Sequence, residues 1–111
     1  MSTRSRIAMR LENNRYRSVY CHFDGDLVGP ILHKHYASED QARIIINGGD
    51  LRSVWPDRLD TYQDRGDLWQ QIRPSDSEDL PQLIALAWES SAEYLYYWQD
   101  DAWQTIELRG S

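Results

Sequence analysis

Residues 5–27 read SRIAMRLENNRYRSVYCHFDGDL, and this stretch decides the fold. Ile7, Met9 and Leu11 alternate with Arg6, Ala8 and Arg10, the period-two signature of a half-buried strand. ENNR at 12–15 is turn chemistry, because Asn tolerates positive φ. Alternation then resumes, with Val19, Cys21 and Phe23 on one face and Tyr20, His22 and Asp24 on the other. Two alternating runs around a polar turn predict a hairpin, ended by DGD at 24–26.

Beyond the hairpin, GPILHKHY at 29–36 predicts a helix with Pro30 at its first position. ASEDQARIIINGG at 37–49 predicts a second, with Ser38 as N-cap, Gln41 completing a capping box, and Gly48 or Gly49 ending it in a left-handed conformation. Residues 50–76 have few periodic apolar positions; a short strand near 59–62 or 68–72, or an ordered surface loop, fits them. Ser77 or Asp79 then caps a third helix, with Pro81 in its first turn. Leu80, Leu83, Ile84, Ala87 and Trp88 form its apolar stripe. EYLYYW and WQTIEL around QDDA predict a second hairpin. Two hairpins flanking helices indicate an α+β domain, an antiparallel sheet with about three helices on one face, spanning residues 1–111 as one unit.

Composition narrows the function. Five Trp and seven Tyr favour a globular chain over a disordered one. No apolar run approaches the roughly 18 residues of a membrane span. The N-terminal residues have no apolar core of the signal-peptide kind, and a lone Cys21 suits a reducing compartment, so a cytoplasmic protein is expected. The net charge of −6 is uneven: +3 over residues 1–35, −2 over 36–75 and −7 over 76–111. An acidic chain is poorly suited to a phosphate backbone, so direct nucleic-acid binding is not expected, whereas a protein with a basic surface is a natural partner. The sequence leaves self-association open.

Several short motifs resemble a group of small phage and prophage proteins. They are STRSRI at 2–7, VYCHFDG at 19–25, LHKHY at 32–36, NGGDL at 47–51, YQDRGD at 62–67 and AEYLYYW at 92–98. The group is marked by Tyr-x-His-aromatic-Asp-Gly and Tyr-x-Asp-Arg-Gly. His22, Asp24, Gly25, His35, Tyr36, Asp50, Tyr62, Asp64, Arg65 and Gly66 occupy the matching positions. The resemblance implies a mobile-element origin and carries no established activity. DLVGP at 26–30 is shorter than the corresponding segment of the group, so a pocket formed there would be smaller or absent.

Two classes of function follow. In the first, the chain is a non-catalytic binding protein, such as an inhibitor of a host defence complex or a toxin immunity protein. Glu93, Asp100 and Asp101 would then meet a basic partner, with Trp103 as an exposed anchor; the main competing surface is the basic first hairpin with Arg6, Arg10, Arg15 and Arg17, which would prefer an acidic partner or RNA. In the second, His22, Asp24, His35, Tyr36, Asp64 and Arg65 form a ligand or enzyme site. Neither metal nor cofactor is expected. His33 and His35 differ by about 200° around a helix and do not aim at one centre. Cys21 lies on the strand face away from His22, as a buried small hydrophobe would. The plain reading of His22 is a strand-end histidine bonded to Asp24 or to a tyrosine hydroxyl.

Overall fold

The computed structural model describes residues 3–108; Ser2 of the serine-rich start and Arg109 lie outside the described residues. The first hairpin forms as the alternation dictates. β1 (Ser5–Arg10) pairs antiparallel with β2 (Tyr16–Cys21), Ile7 opposite Val19, and Asn13 and Asn14 take positive φ in the turn. The second hairpin pairs β6 (Tyr94–Gln99) with β7 (Ala102–Glu107), Trp98 opposite Trp103. Its turn, Asp100-Asp101, also has positive φ at both positions, the backbone that a tight hairpin needs.

Between the hairpins lie α1 (Gly25–His35), α2 (Glu39–Asn47), β3 (Leu51–Val54), β4 (Leu59–Thr61), the single turn α3 (Trp69–Ile72), β5 (Ser75–Ser77) and α4 (Leu80–Glu89). The strand order is β4-β3-β2-β1-β6-β7, with β5 also paired to β2. The class is α+β, built on two hairpins that share one sheet. That sheet is mixed rather than wholly antiparallel, because β2–β3 and β1–β6 run parallel. Parallel neighbours need long crossovers, and the α1–α2 pair supplies the one from β2 to β3.

Helices cover both faces of the sheet, which corrects the one-sided arrangement expected from the sequence. Ile7, Met9, Val19, Cys21, Tyr96, Trp98 and Trp103 pack with Val28 and Leu32 of α1 and Ala42, Ile45 and Ile46 of α2. Ala8, Tyr16 and Leu95 pack with Leu83 of α4. The physical reason is the position of β1, which has a strand on each side and is buried on both faces: Ile7, Ala8 and Met9 are all within 3% of full burial. The Arg6–Ala8 face resembles a solvated face in sequence, yet it is the floor for α4.

The caps behave as the sequence indicates, with two differences. Ser38 Oγ accepts the Gln41 N–H at 3.2 Å and Asp79 Oδ1 accepts the Gln82 N–H at 2.9 Å. Gln41, however, donates its side-chain amide to the His35 carbonyl at 3.1 Å rather than closing a full capping box. α1 starts at Gly25, five residues before Pro30, which sits on the exposed side inside the helix. Gly25 makes that early start workable, since a Cβ there would lie 2.9 Å from the Thr3 carbonyl oxygen. Within 50–76, β4 occupies part of the expected 59–62 strand, 68–72 holds a helical turn instead, and β3 and β5 are additional strands.

The α4 stripe is core at Leu83 and Ala87, flanked by half-buried Leu80 and Ile84, while Trp88 is 46% exposed. Leu83→Ala should therefore cost about 2–5 kcal/mol, the range for truncating a fully buried Leu. Urea unfolding would read it as a midpoint shift at constant slope. A change below about 0.5 kcal/mol would mean that α4 is peripheral.

Candidate functional site

The outer edge of β2 is shared by two strands. β5 pairs with its first half, Tyr16 opposite Ser77 and Ser18 opposite Ser75, while β3 joins only at Cys21. Between them the Tyr20 N–H has no strand partner and donates instead to Asp50 Oδ1 at 2.9 Å. The strands diverge around this point and leave an open cleft of about 750 Å³, lined among others by Arg6, Arg17, Asp50, Trp69, Arg73 and Asp76. Crevices where neighbouring strands part are recurrent ligand sites in open sheets.

Arg6 is the least expected member. It is only 5% exposed, and its Nε and Nη1 donate to Ser18 Oγ at 2.8 Å and Ser90 Oγ at 3.0 Å. Burial pushes its pKa down, opposed by the charge of Asp50. Burial likewise pushes the Asp50 carboxyl up, opposed by the Tyr20 amide and by Arg6. Arg17 and Asp76, opposite one another in the β2–β5 ladder, form a two-point pair at 2.7 and 3.1 Å, which holds the Asp76 carboxyl below its ordinary range.

Trp69 stands at the cleft with 41% of its surface exposed, and its position is fixed from beneath. Gly49 takes φ +82°, and a Cβ there would lie 2.9 Å from the Trp69 ring and 2.7 Å from the Ile72 carbonyl oxygen. The Asp50 N–H donates to that same carbonyl at 2.8 Å. The NGGD stretch thus both ends α2 and seats α3 against the residue that bonds Tyr20.

Several of the residues expected to form a ligand site are engaged in local contacts, and α1 separates Asp24 from His35 and Tyr36. His22 Nδ1 and the Tyr20 hydroxyl share a hydrogen bond of 2.7 Å, one of the plain readings of this histidine. Asp24 is the exposed N-cap of α1, while His35 and Tyr36 lie at its other end, about 16 Å away for eleven residues at 1.5 Å each. Tyr36 is a structural tie: its hydroxyl donates to the Trp55 carbonyl at 2.7 Å and its own carbonyl accepts the Trp103 indole N–H at 2.9 Å. Arg65 pairs with Asp60 at 3.1 and 3.4 Å, and the Asp64 N–H donates to Thr61 Oγ1 at 3.1 Å. Among the described residues no three His, Cys, Asp or Glu side chains form a metal-sized group.

The expected partner-binding set is also dispersed. Trp103 is 4% exposed and packs edge-on against Trp98 at 5.5 Å, so it is not an exposed anchor; Tyr96, Trp98 and Trp103 line the core under α1. Glu93 precedes β6, and Asp100 and Asp101 follow it, about 20 Å away across six residues at 3.3 Å each. Asp100 lies 3.6 Å from Arg10.

Of the cleft residues, Asp50 is marked in sequence by the Gly-Asp-Leu match, and Arg6 and Arg17 belong to the competing basic surface of the first hairpin. Arg6 carried a weaker signal, since it alternates in register with Ala8 on a strand that turned out to be central. Trp69 and Arg73 lie in the segment without periodicity. No protein-family model matches the chain, and no curated protein or solved structure is similar to it.

Cys21 is fully buried and its thiol is pushed up to about 12 by burial. Since only the thiolate reacts, native protein at pH 8 should resist a thiol reagent and react at once when unfolded in urea. Stoichiometric labelling of the native protein within minutes would show that this core face is open.

Proposed function

We propose that the chain acts without catalysis, by binding another protein at the cleft between β3 and β5. The observation that carries this reading is Trp69, partly exposed yet fixed by Gly49, beside a cleft that contains the buried Arg6. Trp and Arg in constrained positions supply a large share of interface energy, and a pre-fixed ring loses little freedom on binding. Apolar surface continues beside it. Leu68 is 62% exposed, and Ile44 is 63% exposed one helical turn before Asn47, a cleft residue. The acids Glu93, Asp100 and Asp101 would act here through the overall field, steering approach of a basic protein, rather than as one contact patch. An inhibitor of a host defence complex, in keeping with the mobile-element origin that the resemblance implies, is one form of this function; a toxin immunity protein is another. The competing site at His22, Asp24, His35, Tyr36, Asp64 and Arg65 draws less support, because separate contacts occupy or separate its members.

The test uses the full chain as bait in a bacterial lysate, with quantitative mass spectrometry. Wild type is compared with Trp69→Ala, Arg73→Glu and the double variant Asp100→Lys/Asp101→Lys. A partner enriched by wild type should fall about tenfold or more with Trp69→Ala, as for a hot spot of about 2 kcal/mol. It should be retained largely by the double variant. A partner that follows Asp100 and Asp101 instead, or no protein specifically enriched, contradicts the proposal.

A further inference from the structure

The charges in the cleft are unequally satisfied. Arg17 is neutralised by Asp76 through two hydrogen bonds. Among the described residues neither Arg6 nor Arg73 takes part in an ion pair. Arg6 meets two neutral hydroxyls, which leaves most of its five N–H donors for other acceptors. An arginine this little exposed, with no carboxylate in contact, is costly unless something balances its charge, and this one borders an open cleft. Asp50 is not within ion-pair distance and supplies an opposing charge at longer range, one of its two oxygens accepting the Tyr20 amide.

We propose that the cleft holds a subsite for one carboxylate, from an Asp or Glu side chain, received by Arg6 and Arg73 with Trp69 against the adjoining chain. The source of that carboxylate, a partner polypeptide, rests on the proposed function. Charge arithmetic sets the class of anion. Three arginines face two aspartates in the cleft, a surplus of one positive charge, which a carboxylate neutralises. A phosphate dianion would overshoot and meet Asp50 and Asp76. The planar guanidinium also matches a carboxylate at two points. The subsite therefore prefers a monoanion to a dianion, and an acidic side chain to its amide.

Nuclear magnetic resonance of the full chain tests this through the Arg6 Nε–H and the Val19 and Tyr20 amides. The probes are a capped tripeptide with central Glu, its Gln counterpart, acetate and inorganic phosphate. The Glu peptide should shift these resonances saturably with a Kd below about 10 mM, and Arg73→Gln, a change at an exposed position, should weaken it about tenfold or more. Acetate should move the same resonances more weakly. The subsite is overturned by equal binding of the Gln peptide, by tighter binding of phosphate, by indifference to Arg73→Gln, or by no saturable shift. Acetate binding as tightly as the peptide would overturn the polypeptide source. Lysate capture lost in Trp69→Ala with no peptide binding would sink the subsite and leave the proposed function; peptide binding with no captured protein would do the reverse.

Discussion

One backbone amide organises the face of the molecule that carries the cleft. The Tyr20 N–H lies where two partner strands of β2 part company, and a part-buried strand amide left without a ladder partner must find another acceptor. Asp50 provides it from the turn that follows α2. The same turn is bonded to α3 through the Ile72 carbonyl. Strand divergence, the placement of Trp69 and the partial charge balance of Arg6 therefore share one anchor.

The two-sided sheet depends on similar economies. β1 and β6 run parallel at its centre, so their alternating side chains need cover above and below. α1 is tied to the sheet by the Tyr96 hydroxyl, which donates to the Gly25 carbonyl at 2.6 Å, and its last turn by Trp103, which donates to Tyr36. Burial of these two aromatics is compatible with their polar atoms because each finds a backbone acceptor. On the opposite face Arg6 takes a place that an apolar side chain would ordinarily fill under α4, and Ser18 and Ser90 make that tolerable.

The parts legible in sequence were those governed by local rules. Both hairpins, the Ser38 and Asp79 caps and the Leu83 stripe follow from period and capping alone. The short strands β3 and β5 were not legible: four and three residues carry no usable period, and their pairing is fixed by long-range contact with β2. Arg6 and Trp103 misled for a common reason. An arginine in an alternating strand and an aromatic beside an acidic turn both look solvent-facing until the sheet order is known. The separation of Asp24 from His35 has the same origin, since nearness of motifs in sequence says nothing about the length of α1 between them. The cleft itself arises from a strand order that no local pattern encodes.

Native-state hydrogen exchange at Tyr20 tests the anchoring role of Asp50 most directly. In the wild type the Tyr20 amide should be protected to nearly the same degree as the Val19 and Cys21 amides in the same strand. In Asp50→Ala it should exchange much faster, by about tenfold or more, while the β1–β2 ladder keeps its protection. Unchanged protection of Tyr20 in Asp50→Ala would show that the β2 edge is closed by something other than this carboxylate, and the account of the cleft would fail.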